Sequence, residues 1–247
     1  MRRQLKNGLL FLSVLLAVFS LTGCKPESLV SQSQEIDIGR QASRDIERQY
    51  KVSADSRLNA MVNEIGQNLA ARSDRPNLKY TFKVLDVKDV NAVSLPGGWI
   101  YVYKGLIDEI GGPGNIDRDK LAGVISHEIG HVAARHHAQM MGRSQLYGIG
   151  IGVLTKGNTA QWVSLFANIN LLHWSRKDEY EADKLGIKYT YGSTYDPNGL
   201  IEFLQVLQSK SKSEPSRFES WFRTHPVPSD RVGRAQQYLN ELRTGSR

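Results

Sequence analysis

The chain of 247 residues has only one cysteine, Cys24, which excludes an intramolecular disulfide and the class of small disulfide-stabilised domains. It also lacks an apolar run long enough to span a bilayer comfortably, since the longest, at residues 9–21, falls short of the ~20 residues that a membrane helix needs. There is no internal repeat. The formal net charge of +7 is spread among interspersed charges, and no RNA-binding motif or aromatic-basic stripe is present, so we predict no nucleic acid partner.

The first 24 residues are typical of a secretory signal. Arg2, Arg3 and Lys6 precede the apolar run at residues 9–21, which ends in Leu-Thr-Gly-Cys at residues 21–24. That tetrapeptide resembles the bacterial lipobox, in which the cysteine is lipidated and becomes the first residue of the mature protein. The alternative is a signal anchor with an incidental cysteine. We predict a signal peptide over residues 1–23 and lipidation at Cys24.

The residue after the lipidated cysteine indicates the destination. An aspartate at this position is an inner-membrane signal in Gram-negative bacteria, whereas this chain has Lys25. We therefore predict a protein anchored to the outer membrane through its acyl chains and facing the periplasm. Removal of residues 1–23 takes away three positive charges and lowers the formal charge from +7 to +4. We predict a lipidated tether over residues 24–34 and one domain over residues 35–247.

The most informative motif is His127-Glu128-Ile129-Gly130-His131. On a helix, two imidazoles four residues apart lie on one face and can bind one metal ion, with the carboxylate of Glu128 beside it. A catalytic zinc site needs three protein ligands and an open position for water, so a third ligand must lie elsewhere. Apolar spacing predicts a single helix over residues 119–143. The alternative is a pair of ordinary histidines on an amphipathic helix.

A second acidic motif follows at residues 178–183. On a helix, Glu179 and Asp183 share one face and Glu181 points nearly the opposite way, so Glu179 is the candidate third ligand. Asp183, one turn further on, is placed to accept the remaining ring N–H of a metal-bound imidazole. The alternative is a solvated charged helix face. Three other histidines are interpreted as structural: His136, His137 and His173.

Taken together, the motifs resemble those of a known family. HExxH and ExxxD occur with Asn-Ala-Val-Ser-Leu-Pro-Gly-Gly at residues 91–98 and Thr-His-Pro at residues 224–226. This order resembles the zinc metallopeptidases of family M48, of the HtpX and CAAX-prenyl-protease type, and most of all its small bacterial lipoprotein branch, the LoiP and BepA type. The resemblance covers residues 35–240. Val93 departs from the family pattern, which commonly has an aromatic residue there.

The resemblance implies a gluzincin-type fold and endopeptidase activity. It implies one Zn²⁺ per chain, with His127, His131 and Glu179 as the ligands and Glu128 as the catalytic carboxylate that accepts the proton of the attacking water. It also implies that His225 can approach the metal and occupy the position of the water in a resting enzyme. Arg231 could stabilise the tetrahedral oxyanion; the alternative is a structural ion pair.

The fold expected from the sequence is α+β and mainly helical, with a small β-sheet beside the HExxH helix. Strands are predicted at residues 80–85 and 99–103, and the second of these could pair with an extended peptide or be part of a plain core hairpin. The further predicted helices, besides that of Glu179, cover residues 35–50, 55–72, 160–174, 197–210 and 228–242. Residues 148–154 are apolar but too short to cross a membrane, and we interpret them as a connection.

Two functions are compatible with these features. The first is a periplasmic, membrane-anchored zinc endopeptidase, which the resemblance places in quality control of envelope or outer-membrane proteins, with unfolded or misassembled proteins as substrates. The second is a chaperone-like envelope lipoprotein whose zinc site is structural or plugged by His225. The intact Glu128 favours the first, because a purely structural site has no need of a carboxylate beside an open position.

Overall fold

The computed structural model describes residues 25–111, 115–147 and 159–245. The predicted signal peptide, Cys24 and the apolar stretch at residues 148–154 lie outside these residues. The fold is α+β and mainly helical, as predicted. Its helices are α1 (Gln32–Gln49), α2 (Ser56–Ala70), α3 (Lys104–Glu109), α4 (Arg118–Ala133), α5 (His136–Tyr147), α6 (Thr159–Ala167), α7 (Arg176–Tyr191), α8 (Asn198–Ser213), α9 (Glu219–Thr224) and α10 (Arg231–Thr244). The strands are β1 (Thr81–Leu85), β2 (Ala92–Ser94) and β3 (Trp99–Tyr103), and 3₁₀ helices occupy Pro26–Leu29 and Ile169–Leu171.

Side-chain caps determine where the main helices begin. Ser31 forms a capping box with Gln34 at the start of α1, and Ser175 forms one with Asp178 at the start of α7. The side chain of Asp117 accepts a hydrogen bond from the backbone N–H of Lys120 at the start of α4. The second box fixes the first turn of α7, in which Glu179 lies.

The three strands form one mixed sheet in the order β1-β3-β2. β3 is parallel to β1 and antiparallel to β2. Its backbone is therefore hydrogen-bonded on both sides, so of the two alternatives for residues 99–103 the structure supports the core hairpin, here with β2, and not a strand that pairs with a substrate peptide. The strand beside α4 that lies at the edge of the sheet is β2.

The sheet separates two apolar cores. Ile100 and Val102 of β3 face a core shared with α2, α4 and α8, whereas the alternate residues Tyr101 and Tyr103 face a core shared with α1 and α6. The strand is apolar on both faces because helices cover both. One consequence is that α4, which carries the HExxH motif, is buried along almost its whole length.

The predicted single helix over residues 119–143 is in fact two helices. α4 ends at Ala133 and α5 begins at His136, and between them Arg135 adopts a left-handed conformation with φ 59°, the only non-glycine residue with positive φ in the described part of the chain. Such a conformation costs roughly 1–2 kcal/mol. It is held by the buried Glu35, whose Oε1 accepts a hydrogen bond from Nε of Arg135 at 2.6 Å, and by a hydrogen bond from Nη2 to the carbonyl of Val30.

The predicted tether is part of the folded domain in its described residues. Pro26–Leu29 packs against α5, Val30 is buried in the second core, and α1 starts at Gln32. Among the described helices none combines the length and the apolar character that crossing a bilayer requires.

Candidate metal centre

The centre forms where α4 and α7 approach closely. A Cβ atom on Gly130 of α4 would lie 2.7 Å from the carbonyl oxygen of Ala182, and one on Gly186 of α7 would lie 3.0 Å from the backbone nitrogen of His127. The first distance is shorter than real Cβ contacts and the second is at their tight limit, so glycine at both positions allows the two backbones to approach. This contact brings Glu179 and Asp183 of α7 to the histidines of α4.

Four buried side chains then converge. His127, His131, Glu179 and His225 each offer one ligand atom, and these atoms all lie within 4.8 Å of one another. The two Nε2 atoms of His127 and His131 are 3.1 Å apart, and they lie 3.8 and 3.3 Å from the carboxylate oxygens of Glu179. Tetrahedral zinc with bonds of 2.0–2.1 Å requires ligand atoms roughly 3.3 Å apart. The spacing of the three predicted ligands therefore fits zinc.

The imidazole of His127 lies against Asp183. Its Nδ1 lies 2.9 Å from Oδ1 of Asp183, which turns Nε2 toward the centre. Burial alone would raise the pKa of Asp183, but the guanidinium of Arg231 and the contact with His127 lower it. Asp183 is thus a carboxylate next to Nδ1 of a predicted ligand, and a carboxylate in this place can fix the tautomer of a metal-binding histidine.

The carboxylate of Glu128 also lies in the centre. Its side chain is fully buried, and neither carboxylate oxygen makes a hydrogen bond among the described residues. Nε2 of His225 lies 3.4 Å from Oε1. Burial raises the pKa of Glu128, although His225 and His127 oppose the shift. A buried carboxylate with free lone pairs is suited to accept a proton from a water molecule.

Arg231 supports two carboxylates of the centre. Its Nη1 lies 2.5 Å from Oε2 of Glu179, and Nε and Nη2 donate to the two oxygens of Asp183 at 2.6 and 2.8 Å. Nη1 also donates to the carbonyl of Pro226. Each nitrogen of the guanidinium is therefore engaged. Of the two roles considered for Arg231, the geometry supports the structural ion pair and not the oxyanion stabiliser.

The charges of the centre favour a bound cation. Glu179 and Asp183, whose pKa values are lowered, bring two negative charges into a site closed to solvent, and Arg231 supplies one positive charge. A bound cation would offset the remaining negative charge, and buried charge without compensation costs several kcal/mol per ion. Burial raises the pKa of Glu179, yet Arg231 and His225 hold that pKa well below its usual range, so this carboxylate is charged. The donor set therefore fits the predicted ion.

His225 lies directly after α9 and reaches the centre from a third direction. Its ring stacks on Trp221 with centroids 4.6 Å apart, and its Nδ1–H donates to Oε1 of Glu179 at 3.0 Å. Burial lowers the pKa of His225, but the carboxylates of Glu179 and Glu128 raise it overall. The resemblance implied this approach. With His225 included, the centre has four protein donors, the number found in closed zinc sites.

The sequence did not predict the surroundings of His131. Its ring stacks on Trp174 with centroids 4.4 Å apart, and its Nδ1 lies 2.9 Å from Nδ1 of His136. His136 was interpreted as merely structural because a continuous helix would direct it away from the ligand face. His137 and His173 bond backbone carbonyls, those of Ser94 and Arg223, as structural histidines do.

Comparison with known proteins adds evidence independent of this geometry. The model of the family described as Peptidase family M48 matches residues 56–239. The chain is 24% identical to the beta-barrel assembly-enhancing protease of Escherichia coli K12 over 90% of this chain and 47% of that protein. It is 25% identical to the metalloprotease YcaL of the same organism over 98% of this chain and all of YcaL, and 26% identical to the mitochondrial metalloendopeptidase OMA1 of Schizosaccharomyces pombe over 73% of this chain and 52% of that protein. The chain thus spans about half the length of the beta-barrel assembly-enhancing proteases that it matches.

Proposed function

The chain belongs to peptidase family M48, and from this membership and the geometry of the centre we propose that it is a zinc-dependent endopeptidase. The observation that carries the proposal is the convergence of three donors from α4 and α7 at distances suited to zinc, with the buried carboxylate of Glu128, free of hydrogen bonds among the described residues, beside them. His127, His131 and Glu179 would hold the ion. When bound, zinc supplies Lewis acidity toward a peptide carbonyl and lowers the pKa of water.

The protein's own groups account for the remaining chemistry. Oε1 or Oε2 of Glu128 accepts a proton from the attacking water and delivers it to the leaving amine, a role favoured by its raised pKa. Asp183 keeps Nε2 of His127 directed at the centre, and Arg231 keeps Glu179 and Asp183 charged and in place. β2 is the edge strand beside α4, but its three residues are buried, so an extended peptide would add to it by main-chain hydrogen bonds only after the segments that cover it move.

The position of His225 supports a closed resting state. A fourth donor in the centre occupies the place that water needs, so His225 must move before turnover. His225→Ala should retain or raise peptidase activity, and a complete loss would contradict gating. The same position favours the second candidate function, a chaperone-like lipoprotein with a permanently plugged site. That function would be supported if His225→Ala were needed for any cleavage at all and the wild-type protein prevented aggregation without cleaving.

We further propose that the enzyme acts in quality control of envelope proteins from the periplasmic face of the outer membrane, anchored through Cys24. The support is the lipobox-like sequence with Lys25 after the cysteine and the similarity to the beta-barrel assembly-enhancing protease. Labelling with a palmitate analogue, compared between wild type and Cys24→Ser, tests the anchor. Sucrose-gradient separation of the inner and outer membranes tests whether the protein is located in the outer membrane.

The activity is tested with Glu128→Gln, which preserves the shape of the side chain. We expect wild-type protein to contain one zinc per chain and to cleave an unfolded protein such as casein in a chelator-sensitive manner. The variant should keep the zinc and lose turnover by at least about 100-fold, the usual contribution of a general base. Cleavage at the wild-type rate by the variant would refute the role of Glu128. In cells, the same variant serves as a trap for natural substrates.

A further inference from the structure

His136 lies between a proposed zinc ligand and a pair of carboxylates. The ring is fully buried. Its Nδ1 lies 2.9 Å from Nδ1 of His131, and its Nε2 lies 3.5 Å from Oε2 of Glu181 and 4.0 Å from Oδ1 of Asp178. The half-exposed Glu181 is thus connected to the centre through His136.

The hydrogen bonds from His131 through His136 to the carboxylates of α7 run in one direction, which is determined by the groups at the two ends of this series. If His131 is to present a lone pair from Nε2 to a metal ion, its proton must be on Nδ1, and Nδ1–H then donates to Nδ1 of His136. His136 in turn carries its proton on Nε2, where a carboxylate of α7 accepts it. The opposite direction would aim the proton of His131 at the centre and leave a lone pair of His136 facing the carboxylates of Glu181 and Asp178. Only the first direction satisfies every group.

The backbone break between α4 and α5 makes this contact possible. In a continuous helix, residue 136 would be rotated by about 140° from residue 131 and would face away from it. The left-handed conformation of Arg135 redirects the chain so that His136 folds back onto His131. Glu35, which accepts hydrogen bonds from Arg135 and Arg75, holds that conformation from α1. An unfavourable backbone conformation secured by a buried ion pair is characteristic of a position with a functional constraint.

We propose that His136 is a positioning residue that fixes the tautomer of His131 and thereby increases its affinity for zinc, with Glu181 accepting the second ring proton of the chain. His136 would orient the imidazole of His131 as Asp183 orients that of His127, but through an imidazole nitrogen instead of a carboxylate. The inference rests on the proposed zinc site. It predicts that loss of the acceptor at residue 136 weakens metal binding even where the fold is intact.

The test compares zinc affinities, measured by competition with a chromophoric chelator. His136→Phe keeps an aromatic ring and removes the acceptor, so we expect its dissociation constant for Zn²⁺ to rise about 10–100-fold, the usual effect of losing such a partner. His136→Asn places an amide oxygen close to the position of Nδ1 and should stay within about 3-fold of wild type. The matched control is His137→Phe, since His137 is equally buried but donates to the carbonyl of Ser94. Its zinc affinity should equal that of wild type.

The outcomes separate this inference from the proposed function. If wild-type protein fails to bind zinc, the proposed site is wrong. If wild type binds zinc and His136→Phe binds it equally well, or His136→Asn loses as much as His136→Phe, only the role of His136 is refuted. Should the phenylalanine variant fail to fold, nitrogen-15 NMR of the zinc-loaded wild type decides: we expect protonated Nδ1 in His131 and protonated Nε2 in His136. A proton on Nδ1 of His136 would overturn the proposal.

Discussion

Replacement of Arg231 by glutamine should destabilise the protein far more than loss of a typical surface arginine. The guanidinium is fully buried and contacts Glu179 and both oxygens of Asp183. The substitution leaves these two carboxylates buried without the guanidinium that contacts both. Removing one partner of a buried ion pair costs about 3–5 kcal/mol. Two carboxylates share this one partner, so we expect the upper part of that range in metal-free protein.

The assay is urea unfolding of metal-free and zinc-loaded protein. In thermal unfolding, the same loss of about 3–5 kcal/mol corresponds to a decrease of roughly 6–20 °C in melting temperature for a domain of this size. The loss should be smaller with zinc bound, because the ion replaces part of the missing positive charge. Asp183→Asn combined with Arg231→Gln should recover part of the stability, because the double variant buries one negative charge fewer.

The matched control is Arg234→Gln. Arg234 is also in α10 and also forms an ion pair, but its partner Asp230 is exposed, and so is Arg234 itself. Exposed pairs of this kind contribute at most about 1 kcal/mol. If the two glutamine variants lost the same stability, the account of Arg231 as the cation that balances the centre would be refuted.

Three further predictions concern the scaffold. Burial lowers the pKa of His137 to about 3, despite its hydrogen bond to a carbonyl. The stability that the neutral ring contributes is therefore fully present above the unfolded-state pKa near 6.5 and is lost as the pH falls toward 3. At pH 5 the free energy of unfolding should have decreased by about 2 kcal/mol. His137→Phe should remove this component from the difference between urea titrations at pH 7 and pH 5, and an unchanged difference would contradict the burial of a neutral ring. Gly130→Ala should force α4 and α7 apart, lower the free energy of unfolding by about 1–3 kcal/mol and weaken zinc binding. Gly233 has open space around it, so Gly233→Ala should be neutral or stabilising. Equal effects of the two substitutions would argue against the close contact between the helices. Glu35→Gln leaves two arginines without their shared carboxylate and should lower the midpoint of urea unfolding by an amount equivalent to about 3 kcal/mol; an unchanged midpoint would show that the turn between α4 and α5 does not depend on this ion pair.

The parts of the centre that depend on local helix geometry could be predicted from the sequence. Spacing of four residues determines that His127 and His131 share a face and that Glu179 and Asp183 share another, whatever the rest of the chain does. The structure places Nε2 of His131 3.3 Å from Glu179 and Nδ1 of His127 2.9 Å from Asp183. The predicted helices at residues 35–50, 55–72, 197–210 and 228–242 likewise begin and end within about three residues of the observed ones.

Features that depend on partners distant in the sequence could not be predicted in this way. The break at Arg135 requires Glu35, which lies 100 residues earlier, and without it the local pattern favours an unbroken helix. The central position of β3 depends on pairing with β1, so a strand that resembled a free edge is covered on both sides. For Arg231, residue type alone left two roles open, and only the positions of Glu179 and Asp183 decide between them.

The most direct test of the zinc centre is a crystal structure of the zinc-loaded protein with anomalous diffraction recorded on both sides of the zinc edge. We expect one strong peak per chain, within about 2.0–2.2 Å of Nε2 of His127, Nε2 of His131 and a carboxylate oxygen of Glu179. Absence of a peak among these three side chains, or a peak bound by other residues, would contradict the account.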